Sequence, residues 1–192
     1  LMLAGIKDIL IITTPEDNSL FIDLLGDGSD LGINIKFKIQ KNPTGLPEAF
    51  VIGEKFIGDS DVCLILGDNI FHSDTFVNKY LIPSFDKKTP TVFGYHVSDP
   101  ERYGVVEFDE KLNVLSIEEK PASPKSNYAI TGLYVFDKNA PLIAKDLIPS
   151  ARGETEIVDM LNFYLNNDGL KVELLGRGVS WLDTGTHRSL HE

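Results

Sequence analysis

The chain has 192 residues, 42% hydrophobic and 24% charged, with a formal net charge of −11. That length suits a single domain with a sizeable core, and no low-complexity tract marks disorder. The negative balance repels a phosphate backbone, which excludes general nucleic-acid binding but leaves room for a local pocket that takes one small phosphate ester.

Cys63 is the one cysteine, so no internal disulfide is possible, and its place in an apolar run reads as a buried small hydrophobe in a reducing compartment. The opening "LMLAGIKDILIITT" is interrupted by Lys7 and Asp8 and is followed by no small-residue cleavage pattern. Neither a signal peptide nor a membrane span is indicated, and a cytoplasmic location is expected.

In chain order, "ILIITT" (Ile9 to Thr14) reads as a strand ending at Pro15. "PEDNSLFIDLL" has helical spacing, with Leu20, Phe21, Leu24 and Leu25 apolar and Gly26 and Gly28 stopping it. "GDGSDLG" lacks the acid spacing and terminal glutamate of a calcium loop and reads as that helix stop. "INIKFKIQ" alternates, placing Ile33, Ile35, Phe37 and Ile39 on one face and Gln40 at the end. "LPEAFVIGEKFI" predicts a second helix with Pro47 in its first turn and Glu48 and Glu54 on its polar face. "VCLILGDNIF" then gives a buried strand that breaks at Gly67, Asp68 and Asn69.

Strand, helix, strand, helix, strand predicts a largely parallel sheet covered by helices on both faces, with ligands beyond the carboxyl ends of the strands. Gln40 and Asp68 both fall at such ends. The second half, "TVFGYHV", "YGVVEF", "VLSIEEK" and "YAITGLYVF", predicts antiparallel strands that make the sheet mixed. "GETEIVDMLNFYLNN" predicts a helix with Glu154 and Glu156 in its first turn and Ile157, Met160, Leu161 and Tyr164 along one stripe. "KVELL" and "VSWLDTGT" close the pattern.

Asp183 in "WLDTGT" repeats the motif of Asp68: an apolar strand, an acid, then small turn residues. If the two ends converge they supply two oxygen ligands, the number Mg²⁺ commonly takes from protein while phosphates and waters fill the remaining positions. Either stretch alone is equally a plain turn. In "SIEEKP", strand alternation lets at most one of Glu118 and Glu119 face a pocket. Glu119 suits sugar hydroxyls and Lys120 a phosphate, although a solvated strand end has the same composition. Arg152, before the "GETEI" helix, is a candidate bidentate phosphate contact or an ordinary surface arginine. His72, His96, His187 and His191 lack zinc-site spacing and a triad partner, and read as structural.

"LGDNIF", "DPERYGVVEFD", "IEEKPASPKSNYAITGLYVFD", "ARGETEIVD" and "GRGVSWLDTGTHRSL", in that order, closely resemble the bacterial glucose-1-phosphate thymidylyltransferases over nearly the whole chain. The resemblance implies an α/β fold of the nucleotide-diphospho-sugar transferase type, a Rossmann-like mixed sheet flanked by helices, with residues 1–192 forming a single nucleotidyltransferase domain. It implies an enzyme that joins dTTP and glucose 1-phosphate to give dTDP-glucose and pyrophosphate, the entry step to dTDP-rhamnose and related envelope sugars. By the family pattern Asp68 and Asp183 hold Mg²⁺, Gln40 and the backbone of Gly45 read thymine, Gly104, Glu119 and Ile130 line the glucose site, and Lys120 and Arg152 take the sugar phosphate. A homotetramer is implied as well.

The family's first strand, its Gly-rich loop with Gly-Thr-Arg, and its later C-terminal helices do not occur between Leu1 and Glu192, so a truncated chain with weak activity is expected. Two other readings stay open: a transferase for UTP or another sugar 1-phosphate, and a non-catalytic module that senses sugar nucleotides.

Overall fold

A computed structural model describes residues 1–167 and 169–185. The chain divides into two compact units, Leu1–Ser60 with Lys138–Met160, and Asp61–Asp137 with the described residues from Leu161 onward.

In the first unit, β1 (Asp8–Thr13) and β2 (Asn34–Ile39) pair in parallel, joined through α1 (Asn18–Leu25). Helix α2 (Glu48–Ile57) buries Phe50 and Ile57 and sets Gly53 against Leu10 of β1, where a Cβ would lie 3.3 Å from the leucine side chain. Helix α4 (Ala140–Lys145) packs on α2, with an ion pair from Lys145 to Glu54. Alternation in β2 holds for Ile33 and Ile35, which are buried, but fades toward its exposed end at Ile39. The backbone N–H of Gln40 donates to Thr13 O at 2.9 Å, so Gln40 sits just beyond the last paired residue of β2.

Helix α1 forms where its spacing predicts, yet of its apolar stripe only Leu25 is half-buried and the rest stays exposed. Leu20 is 65% and Leu24 76% exposed, and the helix buries no residue. The periodicity encodes the helix, while burial needs a facing layer that the described residues do not provide.

The second unit is organised on one long strand, β8 (Tyr128–Phe136). Along one edge it pairs with β5 (Thr91–His96), which in turn pairs in parallel with β9 (Lys171–Leu174). The other edge is shared. β6 (Gly104–Phe108) meets β8 at Ala129 and carries the edge strand β7 (Val114–Glu119), whereas β3 (Val62–Ile65) pairs with Leu133 to Phe136. The sheet is therefore mixed, as the second half of the sequence predicts. The expected parallel pairing of β3 with the earlier strands does not occur, because β3 runs antiparallel to β8 and β1 with β2 forms its own sheet.

A separate antiparallel pair joins β4 (Asn69–His72) to β10 (Ser180–Asp183). β4 is absent from the sequence-based expectation, which reads Gly67, Asp68 and Asn69 as a break in the strand and assigns no element after it. A π-helical turn, Val77–Leu81, and α3 (Ile82–Asp86) are likewise too short to carry a period, as is α4. Helix α5 spans Ile157–Asn167, so Glu154 and Glu156 precede it instead of lying in its first turn. Leu161 and Tyr164 of α5 enter the core of the second unit, where the Tyr164 hydroxyl donates to Asp137 at 2.7 Å and the ring stacks on Phe136. Gly169, with φ +85°, donates its N–H to Tyr164 O and closes the helix end.

Thr131 of β8 is fully buried, and its Oγ1 has no hydrogen-bond partner among the described residues. A hydroxyl in that state carries a desolvation cost that an isosteric methyl does not. Thr131→Val is expected to raise unfolding stability by about 1 kcal/mol, read from the denaturation midpoint at unchanged m-value.

Candidate active site

The opening of the β8 edge builds the site. Between Ala129, where β6 pairs, and Leu133, where β3 pairs, no strand covers Gly132. Its backbone groups are satisfied locally instead: Gly132 N–H donates to Asn69 Oδ1 at 2.9 Å, and Gly132 O accepts from Leu66 N at 2.9 Å. The turn that follows β3 is thereby fastened to the sheet, and Asp68 sits at its tip.

Asp183 ends β10 opposite Asn69, the first residue of β4, so strand register places it beside Asp68. Thr184 locks the two turns together, donating both its backbone N–H and its hydroxyl to Asp68 O at 2.8 Å. At Gly185 a Cβ would lie 2.7 Å from Asp68 Oδ2 and 3.2 Å from Asp183 Oδ1. The two carboxylates therefore flank the same glycine, whose N–H donates to Asp183 Oδ1 at 3.1 Å. Asp68 is exposed and Asp183 half-buried, so the pair is open to solvent on its outer side.

Asn69 holds the arrangement from behind. Its Nδ2 donates to Asp68 Oδ1 at 2.8 Å, while its Oδ1 accepts from Gly132 N and, at 2.6 Å, from the indole N–H of Trp181. Trp181 is buried, with Tyr95 and Tyr103 edge-on at 5.6 and 5.5 Å.

Gly104 of β6 pairs with Glu119 of β7. The adjacent Glu118 turns the other way, to Lys125 at 2.7 Å, so the two glutamates face oppositely as alternation predicts. Lys120 breaks that alternation. Its φ is +44°, its N–H donates to Tyr103 O at 3.0 Å, and its ammonium comes back to 3.6 Å from Glu119 Oε1. The left-handed turn thus brings two consecutive side chains to one side, which a regular strand forbids. Ile130 is buried on β8 opposite Gly94.

Tyr134, in an apolar run that gave no functional signal, is buried near the same groups. Burial pushes its phenol well above the ordinary tyrosine range, and the negative charges of Glu119 and then Asp68 push it further.

The remaining candidates belong to the first unit. Gln40 Nε2 donates to Gly45 O at 3.2 Å and to Glu48 Oε2 at 3.1 Å, which leaves the Oε1 acceptor uncommitted in those bonds. Gly45 has φ +112°, and a Cβ there would fall 2.0 Å from Thr155 O, so only glycine fits. Arg152 donates through Nε and Nη2 to Glu156 Oε1, at 3.2 and 2.7 Å. His72 is exposed on β4, and His96 meets the Tyr128 ring edge-on at 5.4 Å; His187 and His191 lie outside the described residues.

Asn69, Tyr134 and Trp181 enter the site without having been singled out for it. The strongest hint was the pairing of the one tryptophan with Asp183 in "WLDTGT".

The described residues thus form an α/β molecule with a mixed sheet and a pair of acids at converging strand ends. The profile of the family described as Nucleotidyl transferase matches residues 1–192, and the chain belongs to that family of enzymes. Within it, the chain is 59% identical over its full length to the glucose-1-phosphate thymidylyltransferase of Neisseria gonorrhoeae, covering 67% of that protein. It is 53% identical to the enzyme of the same name from Xanthomonas campestris pv. campestris, covering 65% of it. The chain thus spans about two thirds of the length of these relatives. A crystal structure described as a glucose-1-phosphate thymidylyltransferase from Bacillus anthracis, in complex with a sucrose, superposes with TM-score 0.88 at 37% identity, covering all of this chain and 76% of that one. A UDP-glucose pyrophosphorylase complexed with UDP-glucose shares the fold, with TM-score 0.82 at 22% identity, covering 98% of this chain and 79% of that one.

Because the Tyr134 phenol is raised, the stability it contributes is fully present below the ordinary tyrosine range near 10 and is lost as pH climbs through the folded value. Glu119→Gln removes one of the charges responsible. The ring resonances of Tyr134 are expected to titrate at lower pH in that variant, yet still above an exposed tyrosine, since burial is the larger cause.

Proposed function

We propose that the protein joins glucose 1-phosphate to dTTP, giving dTDP-glucose and pyrophosphate, and so supplies the first step toward dTDP-rhamnose and related deoxysugars. The observation that carries this reading is that Asp68 Oδ2 and Asp183 Oδ1 flank the same glycine, Gly185, at the ends of two paired strands.

The pair of acids fits a hard divalent cation. Both donors are carboxylate oxygens, and among the described residues no group of three or more His, Cys, Asp or Glu forms that could complete a protein cage. Mg²⁺ suits such a site, since it takes one or two carboxylates and fills its shell with water and substrate phosphates. Asp68 and Asp183 would hold it. When bound, it supplies positive charge to the α-phosphate of the nucleotide as negative charge develops there.

The chemistry asks little of the protein beyond placement and charge. A phosphate oxygen of the sugar phosphate forms a bond to the α-phosphorus as the bond to the departing pyrophosphate breaks, in line with it. Lys120 holds the anionic nucleophile with its ammonium; in the first unit, Arg152 is a guanidinium suited to phosphate. Glu119 accepts hydrogen bonds from sugar hydroxyls, and Gly104, its partner across the β6–β7 pair, presents no side chain that would crowd the sugar. Ile130 supplies apolar surface beside them. In the first unit, the acceptor Oε1 of Gln40 suits the N3–H of thymine, with Gly45 fixing the amide.

That recognition does not separate thymine from uracil, so the nucleotide preference rests on the relatives.

Asp183→Asn in the full-length protein is expected to keep the fold, by circular dichroism, and to lose about a hundredfold or more in pyrophosphate release from dTTP and glucose 1-phosphate. Near-normal Mg²⁺-dependent turnover would remove Asp183 from the mechanism. Side-by-side turnover with dTTP and UTP is expected to favour dTTP, and a UTP preference would reassign the substrate. Calorimetric binding of dTDP-glucose with no pyrophosphate release from the wild type would replace the enzyme by a binding module.

A further inference from the structure

The arrangement behind the two acids asks for a role of its own. A carboxylate on an exposed turn ordinarily samples several rotamers, and a divalent ion that binds it must halt that motion. Asp68 is exposed, yet one of its oxygens is already engaged by Asn69 Nδ2 at 2.8 Å, while the other, Oδ2, is the one on the side of Gly185 and Asp183.

Asn69 is itself immobilised. Its Oδ1 takes two donors from two different strands, Gly132 N–H of β8 at 2.9 Å and the Trp181 indole of β10 at 2.6 Å. Those bonds fix the plane of the amide and turn its Nδ2 toward Asp68. The absence of a side chain at residue 132 makes the approach possible. A Cβ at residue 132 would fall 2.6 Å from Asn69 Cγ, so the amide lies flat against the bare backbone of Gly132. The donor it captures is the one left over where the β8 edge changes partner from β6 to β3. One side chain therefore closes a gap in the sheet and orients an acid.

We propose that Asn69 is the positioning residue for Asp68: held by Gly132 and Trp181, it fixes which carboxylate oxygen faces the divalent-cation position and ties occupancy of that position to the indole of Trp181. The proposal rests on the reading of Asp68 and Asp183 as the cation ligands. Groups that orient metal ligands commonly contribute a factor of ~10–100 in metal affinity.

The experiment uses the full-length protein with Mn²⁺ as the titrant, followed calorimetrically, in wild type, Asp68→Asn and Asn69→Ala. Asp68→Asn is expected to abolish measurable binding; if it binds as wild type does, the underlying assignment of the cation site falls, whatever Asn69 does. With that control satisfied, Asn69→Ala is expected to weaken Mn²⁺ by ~10-fold or more with Asp68 intact. Affinity within about twofold of wild type would overturn the positioning role.

Should Asn69→Ala fail to fold, a measurement that needs no variant at this residue takes its place. The Trp181 indole N–H resonance, followed by ¹H–¹⁵N NMR during Mg²⁺ titration, is expected to move in wild type with the same saturation as binding, and to stay fixed in Asp68→Asn. An indole resonance that does not move while the cation position fills would overturn the proposed link.

Discussion

Two short strands decide where the acids of this chain meet. β4 and β10 are four residues each, and their antiparallel register sets Asp183 against Asn69 and hence beside Asp68, although the acids are far apart in the sequence. The pairing is reinforced where it matters most, by the double donation of Thr184 to the carbonyl of Asp68 and by the Trp181 bond to Asn69. Without that register the carboxylates would be two unrelated turn residues. With it, they stand on either side of one glycine that adds no side chain between them.

The longer β8 provides the frame for this pair. It is buried along nearly its whole length, pairs with β5 on one edge with a register shift between Val92 and Gly94, and changes partner on the other. Irregularity at the changeover is tolerated because side chain and turn backbone take over the hydrogen bonds that a neighbouring strand would have made. The same interruption gives the β3–β4 turn a place to anchor. Fold and site are thus joined at one backbone amide, that of Gly132.

Much of the fold could be read from the residues. The periods of α1, α2 and α5, the alternation of β2 and the strand-like runs of β6 to β8 are strong local signals, and Gln40, Asp68 and Asp183 stood out as polar residues at the ends of apolar strands. What could not be read were facts of pairing. Nothing in "VCLI" says that it runs antiparallel to β8 and does not join β1 and β2, and nothing in α1 says that its leucines lack a facing layer. Asn69 looked like a turn former because its bonding partners lie more than sixty positions away. Tyr134 looked like core because it is core, and only its neighbours Glu119 and Asp68 make it part of a site.

Lys120 carries a consequence for how such a sequence changes over time. A lysine with φ +44° occupies a backbone region that glycine or asparagine enters more easily, at a cost of about 1 kcal/mol or more for a residue with an ordinary Cβ. Selection for heat resistance alone would drift away from lysine here, and only a demand for an ammonium group beside Glu119 opposes that drift. Variants gathered purely for robustness would then be enriched in substitutions at residue 120 that leave the molecule sturdier and without an ammonium beside Glu119.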